Sequence, residues 1–256
     1  MNKTVERAIL ALEYIAKSKQ PVTMADVRNA LGLPKSTASE ILNTLIDMDI
    51  LKIGNQDYAT LSAGTRLYEI SASFIGKNDL ITVSSEAGVA LAKETGKMVC
   101  MSLFNGDEIV PFEKIGGVEP MQPQLNTMPK FSLRESASGK AILAASRQDR
   151  LQWLLDKNSA PGDEDRGAGI FAELAQVAAS GYAISHELPE LCSIAAPVLQ
   201  ADGVPLVSLC IIDFTFRLDA AEQRRLGNKI EVAALGASRQ MGYKGLRLYQ
   251  EPRNFN

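Results

Sequence analysis

Apolar positions set the frame of this chain. Ala8, Ile9, Leu12, Ile15 and Ala16 recur at helical spacing and predict a first helix over 5–18, with Thr4 placed to cap it. The run Lys17-Ser18-Lys19-Gln20-Pro21 ends that pattern. Thr23-x-x-Asp26 has capping-box spacing and opens a short helix through Leu31, with Gly32 as its left-handed stop. Pro34 then suits the first turn of a third helix reaching about Asp49. In that stretch Ala38, Ile41, Leu42 and Leu45 mark one buried face, while Ser36, Ser39, Glu40, Asn43 and Asp47 hold the opposite one. Two short apolar runs, 50–53 and 58–61, flank Gly54-Asn55-Gln56-Asp57 and read as a hairpin. Three helices followed by a β-wing predict a winged helix-turn-helix. Its third helix, packed behind and short-polar in front, suits a DNA-reading helix or an ordinary amphipathic surface helix.

Residues 62–76 are helical again, with Leu67, Ile70 and Phe74 on one side, and read as a linker helix offering a dimer contact. Beyond it the pattern changes. A helix over 83–94 closes at Thr95-Gly96, and runs 98–104 and 109–112 bracket Asn105-Gly106, a strong hairpin signal. Pro111 marks the second of these strands as an edge or an irregular one. Residues 116–130 read as loop, 138–145 and 149–156 as helices, 158–169 as an exposed loop, and 170–180 as a helix ended by Gly181. Strands at 182–185, 193–200 and 206–214 precede a last helix over 219–241. Helices segregated against a mainly antiparallel sheet make an α+β domain. The partition is 1–66 for the winged helix, 67–80 for the linker and 81–249 for the α+β domain.

The length of 256 residues and an apolar fraction of 46% suit two domains with substantial cores. No apolar run is long enough to span a membrane, and the N-terminus lacks a signal-peptide core. Three cysteines, Cys100, Cys192 and Cys210, with no CxxC pair, read as reduced thiols in a cytoplasmic protein. His186 is the only histidine, which removes His-rich metal sites and most catalytic templates; no metal or cofactor is called for. The net charge of −3 does not advertise nucleic acid, and residues 1–60 carry seven basic against seven acidic side chains. Attraction to DNA must therefore come from local arrangement and helix N-termini.

Three stretches invite chemistry. Ser136-Ala137-Ser138-Gly139-Lys140 ends in Gly-Lys, but Arg134 and Ala141 stand where a phosphate loop needs Gly and Ser or Thr. A Ser-x-x-Lys nucleophile fails because Ala137 holds the serine position. What survives is a helix start whose backbone N–H groups face an anionic or carbonyl ligand, or small residues chosen for close packing. Ser185-His186-Glu187 could orient a substrate, though one histidine makes a poor metal site. Ser193 and Cys210, on strands, could line a cavity; Cys100 reads as a core thiol.

Val5-Glu6-Arg7-Ala8-Ile9-Leu10, Leu33-Pro34-Lys35-Ser36-Thr37, Gly139-Lys140-Ala141-Ile142-Leu143-Ala144, Gly181-Tyr182 and Ile194-Ala195-Ala196-Pro197-Val198 come in an order that resembles the IclR-type transcriptional regulators. The resemblance covers nearly the whole chain. It implies a multidomain protein: an N-terminal all-α winged helix-turn-helix with β-wing, and a C-terminal α+β GAF-like domain that binds a small effector. It also implies dimers or dimers of dimers (homodimer or homotetramer) on a palindromic operator of double-stranded DNA. The expected protein is a ligand-responsive regulator of a catabolic operon, without catalysis, whose small metabolite modulates operator binding. Ser36, Thr37, Ser39, Glu40 and Asn43 would face the major groove, and Arg28, Lys35 and Lys52 the phosphates. By the same resemblance Ser136, Ala137, Ser138, Ser185, His186, Glu187, Ser193, Cys210 and Ile212 would line an effector pocket for an organic or aromatic acid. The chain departs from the family pattern at Glu40, where an arginine is common, at Arg134 and Glu135, and at Ile212. Glu40 would repel phosphate or accept from cytosine N4. A rival reading is an enzyme working in the C-terminal cavity through His186, Glu187 and Cys192, with the N-terminal domain serving dimerisation. In another, the winged helix binds protein.

Overall fold

The computed structural model describes residues 2–54, 59–75, 79–106, 108–119, 121–123, 131–157, 166–186 and 190–249. The chain divides into two compact units, Met1–Lys77 and Asn78–Asn256, each with a core of its own.

In the first unit α1 runs Lys3–Lys17. Its cap is Asn2 rather than Thr4: the Asn2 side-chain oxygen accepts from the Thr4 and Val5 N–H groups, leaving Thr4 inside the first turn. The buried stripe is also rotated from the expected one. Ala11 sits at its centre, flanked by Leu12, Tyr14 and Ile15, while Ile9 is 52% exposed. A short strand β1, Val22–Thr23, precedes α2, Met24–Ala30, and the reciprocal Thr23–Asp26 capping box is formed as expected. Gly32, at φ +59°, turns the chain into α3, Lys35–Asp47. Ala38, Ile41 and Leu42 bury the back of α3 against α1 and α2. The exit from α3 is made by Asp49 in the left-handed region, at φ +56°. Its carbonyl accepts from Arg66 N–H, and a Cβ on Gly64 would fall 2.0 Å from that oxygen. Only glycine tolerates the approach. Strands β2, Leu51–Ile53, and β3, Thr60–Ala63, form the wing, and β1 adds to β3, so the sheet is antiparallel in order β1-β3-β2. Helix α4, Thr65–Ile75, follows.

The second unit opens with α5, Asp79–Thr95, then the hairpin of β4, Met98–Phe104, and β5, Ile109–Ile115. Helices α6, Ala137–Ala145, α7, Gln148–Lys157, and α8, Arg166–Ser180, come next. Then β6, Ala183–Ser185, β7, Leu191–Leu199, and β8, Pro205–Phe214, lead to α9, Ala220–Gln240. The sheet is antiparallel throughout, in order β5-β4-β8-β7-β6. Strand β5 is both an edge and irregular: a bulge between Met101 and Ser102 sits opposite Pro111, which can donate no ladder bond. Of the loop expected over 158–169, residues 166–169 belong to α8, and 158–165 lie outside the described residues. Helices α5 and α9 pack together over the face carrying Met101, whose sulfur lies where a Cβ on Gly88 would go. Helix α6 covers the other face, packed on β7 and β8 and backed by α8.

One feature of this unit left no trace in the sequence pattern. Lys97 Nζ lies 2.7 Å from Asp213 Oδ2 and 2.7 Å from Glu119 Oε1, and Arg217 Nη1 lies 2.8 Å from Glu119 Oε2. Asp213 is 2% exposed and Lys97 8%. Burial pulls the Lys97 ammonium down, but its bonds to Asp213 and Glu119 outweigh that and leave its pKa raised. A raised lysine contributes fully below its unfolded value, about 10.4, and loses its contribution only as pH climbs through the folded value. The pair is therefore constant across neutral pH and fails in strong alkali. Lys97→Met strands the Asp213 carboxylate, with Arg217 left 3.6 Å away. Urea unfolding should show the second unit weakened by about 3–5 kcal/mol at pH 7; a loss well below 1 kcal/mol would mean that the cluster is not desolvated.

Candidate functional sites

The first site is the front of α3. With about 100° of turn per residue, Ser36, Glu40 and Asn43 lie within roughly 35° of the line opposite the buried residues. All three are exposed. Ser39, also exposed, sits to one side, and Asn43 Nδ2 donates to its hydroxyl at 3.2 Å. Thr37 is half-buried and lies off the front. Lys35 is exposed in the first turn, and Pro34 provides no side-chain cap, so the first N–H groups of α3 have no side chain to satisfy them. Arg28, in the last turn of α2, is half-buried and holds Asn29 Oδ1 through Nε and Nη2 at 3.1 and 2.8 Å. Lys52, on β2, donates to Thr65 Oγ1 at 2.6 Å. All these side chains belong to one unit, and short polar groups dominate its presented face.

The second site is gathered at the start of α6. Ser136 is the cap, its hydroxyl accepting from Gly139 N–H at 2.9 Å, and Ser136, Ala137 and Ser138 are all buried. A Cβ on Gly139 would fall 2.1 Å from the Leu133 carbonyl oxygen, so this glycine serves close packing. Lys140 pairs with Glu173 of α8 at 2.8 Å. The Gly-Lys pair therefore locks α6 in place and cradles no phosphate. Ser185 Oγ donates to the Glu135 carbonyl at 2.7 Å, tying the end of β6 to the residue before the cap. That bond also shows which sheet face points at α6. Ser185, Ser193, Ile212 and Met98 are register partners across β6, β7, β8 and β4, and Ala183, Ala195, Cys210 and Cys100 form the next row on the same face. Ser193, Cys210 and Ile212 thus share the α6 side with Ser185. His186 is exposed beyond β6, and Glu187 lies outside the described residues.

Cys192 falls on the opposite sheet face, in register with Asp213. Burial, with the Asp213 charge adding to it, pushes its thiol up to about 11. Cys100 is likewise raised to about 11 by burial. Both stay protonated at neutral pH and neither is a nucleophile. Among the described residues no cluster of His, Cys, Asp and Glu could hold a metal ion. Sequence reasoning missed Met98, which extends the Ser185 row, and Ser208, whose buried hydroxyl lies one row beyond Cys210 with no partner. Strict alternation along strand 205–214 was the signal that could have found Ser208.

Residues 4–52 match the family model described as IclR helix-turn-helix domain, and residues 72–239 the model described as Bacterial transcriptional regulator IclR C-terminal. The HTH-type transcriptional regulator XynR of Escherichia coli is 25% identical over 94% of this chain and 98% of its own length. BhcR of Paracoccus denitrificans is 23% identical over 91% of this chain and 85% of its own. Among solved structures, the IclR transcriptional regulator of Alicyclobacillus acidocaldarius superposes with a TM-score of 0.81 at 20% identity, covering 94% of this chain and all of that one. An IclR homologue from Microbacterium hydrocarbonoxydans, complexed with 4-hydroxybenzoate, gives 0.77 at 18% identity over 93% of this chain and 98% of its own. These structures share the fold of both units. On the strength of the two family models, the chain belongs to the IclR family of bacterial transcriptional regulators, which bind DNA and are not enzymes.

Proposed function

We propose that this regulator binds a two-fold-symmetric operator through α3 and is controlled by a small acid held at the start of α6. The observation that carries the DNA half is the geometry of α3: its back is sealed within its unit and its front presents exposed polar side chains. Ser36, Ser39, Glu40 and Asn43 face the groove, while Lys35, Arg28 and Lys52 approach phosphates. The uncapped N–H groups of α3 add the positive end of a helix dipole to a domain whose side-chain charges cancel. The protein works in the cytoplasm as at least a dimer. Ile70 and Phe74, on one side of α4, are 42% and 75% exposed, an apolar helix face that a second copy would cover. A dimer places two reading helices about 34 Å apart, on half-sites one turn apart.

For the effector, the sheet face below α6 offers hydroxyls, thiols and apolar groups across β6, β7, β8 and β4, and an exposed cation, Lys114, on the edge strand β5 in register with Cys100. An acid at the centre of that face, away from Lys114 at the sheet edge, is held by the Ala137 and Ser138 N–H groups at the helix start, with its body against Ser193, Cys210 and Ile212. Glu135 stands next to this site, but its side chain is exposed and its carbonyl is occupied by Ser185, so it leaves the anion room. The benzoate-bound relative supports an organic or aromatic acid of a catabolic pathway. Such a ligand changes DNA affinity only by binding two dimer arrangements unequally.

With about six phosphate contacts per dimer, operator affinity should fall roughly a thousandfold between about 50 and 200 mM salt in a mobility-shift titration. No shift of the DNA upstream of its own gene at low salt, with or without carboxylic acids, would sink the operator reading. A thermal-shift screen of small carboxylates, sugar acids and aromatic acids should find a stabilising ligand. Ser193→Trp should abolish that stabilisation and the response of operator binding while leaving basal DNA binding intact. An unchanged response would refute the placement of the pocket.

A further inference from the structure

Glu40 is the odd residue in the middle of the reading helix; the other acid on that face, Asp47, is its last residue. A carboxylate near DNA is repelled by every phosphate, and a site built only on backbone attraction has no use for one. Yet Glu40 stands close to the centre of the α3 front, about 30° from the line opposite the buried back, where side chains meet base edges. The flanks of the helix, which face the phosphate walls, carry Lys35 on one side and Thr44 and Thr37 on the other. Among the described residues no cation neutralises Glu40: its backbone carbonyl accepts from Thr44 Oγ1, and its carboxylate pairs with nothing. An unneutralised, exposed carboxylate aimed at the groove floor needs a donor there.

The major groove has two kinds of donor, the N4 amino group of cytosine and the N6 amino group of adenine. Adenine sets an N7 acceptor beside its amino group, guanine presents acceptors alone, and thymine an acceptor and a methyl group. A carboxylate, which only accepts, is repelled by each of those acceptors. In the duplex the cytosine amino group has an acceptor on one side only, O6 of its paired guanine, whereas the adenine amino group lies between its own N7 and thymine O4. Resting on the assignment of α3 as the reading helix, we propose that Glu40 selects a cytosine in each half-site through its N4 amino group. Asn43 lies about 4.5 Å further along the axis, and Ser36 about 6 Å before it. The three side chains therefore read neighbouring steps, with the cytosine in the middle.

The test is selection from a random duplex library with the full-length wild type and with Glu40→Gln and Glu40→Arg, followed by anisotropy titrations on single-base variants of the wild-type site. The wild type should enrich a cytosine at one position per half-site, and changing it should weaken binding roughly 5- to 150-fold. Glu40→Gln should move the preference at that position to adenine, and Glu40→Arg to guanine, each following the pairing geometry of the new side chain. Both variants should bind random DNA more tightly than the wild type, with the salt slope set by phosphate contacts unchanged for Glu40→Gln. A merely structural role would lower affinity for all sequences alike and leave the preferred base where it was; that result overturns the assignment while operator binding stands. If the wild type enriches no sequence at all, the reading of α3 falls first and Glu40 with it.

Discussion

Anchoring α3 from behind is the constraint on which the N-terminal unit depends. Ala38, Ile41 and Leu42 are almost wholly buried against α1 and α2, and each large apolar side chain contributes about 1.5–3 kcal/mol. The consequence is orientational. A helix held on one side by a core of Ala11, Val27, Leu51 and Leu61 cannot roll, so its polar front is presented at a fixed angle to whatever approaches. The Thr23–Asp26 box and the left-handed turn at Gly32 set where α2 ends and α3 begins, and Asp49 with Gly64 sets how the chain leaves for the wing. Local turn chemistry and core packing act together here.

In the second unit the corresponding constraint is the period of two along a strand. Shifting a residue by one place moves it through the sheet, which is why Ser193 and Cys192, adjacent in sequence, do different things. Ser193 faces α6 with Ser185 and Ile212. Cys192 faces the α9 side beside Asp213, where burial keeps its thiol protonated. The rival enzyme needed Cys192 and His186 in one cavity. The Cys192 thiol stays protonated, His186 is exposed, and Glu187, the third residue of that reading, lies outside the described residues. Gly139 and Lys140 act in the same structural sense: the first lets α6 touch the Leu133 backbone, and the second fastens it to α8.

Much of this was legible in the sequence, and the exceptions share a cause. Helix periodicity, the capping box, the Asn105-Gly106 hairpin and the edge character forced by Pro111 are local signals, and the structure has them. The front of α3 was readable for the same reason, since 3.6 residues per turn separates Ser36, Glu40 and Asn43 from Ala38, Ile41 and Leu42 without any tertiary information. What could not be read was non-local. The buried face of α1 was misplaced by about one residue because Ile9 and Ala16 fit the apolar spacing and are exposed. Strand β1 is two residues long and exists only because β3 pairs with it. The Lys97–Asp213–Glu119–Arg217 cluster joins residues far apart in the chain, and no periodicity announces it. Asn2 displaced Thr4 as a cap because both are competent, and only geometry chooses.

The near-zero charge of the N-terminal residues then becomes informative. A regulator that bound DNA chiefly through phosphates would hold any sequence about equally well, and its specificity would have to be added on top. Here seven acidic side chains offset seven basic ones among residues 1–60, one of the acids being Glu40 on the exposed front of α3. Backbone attraction is correspondingly weak and comes partly from the uncapped start of α3, a fixed dipole that points one way. On the proposed role of Glu40, weak general attraction combined with a carboxylate that tolerates few base edges places more of the operator affinity in the difference between right and wrong sites. A ligand acting on such a protein has little to overcome. A coupling of about 1–3 kcal/mol, the usual reach of a small effector, changes binding roughly 5- to 150-fold, a sizeable part of the gap of about 4–10 kcal/mol that separates specific from random DNA.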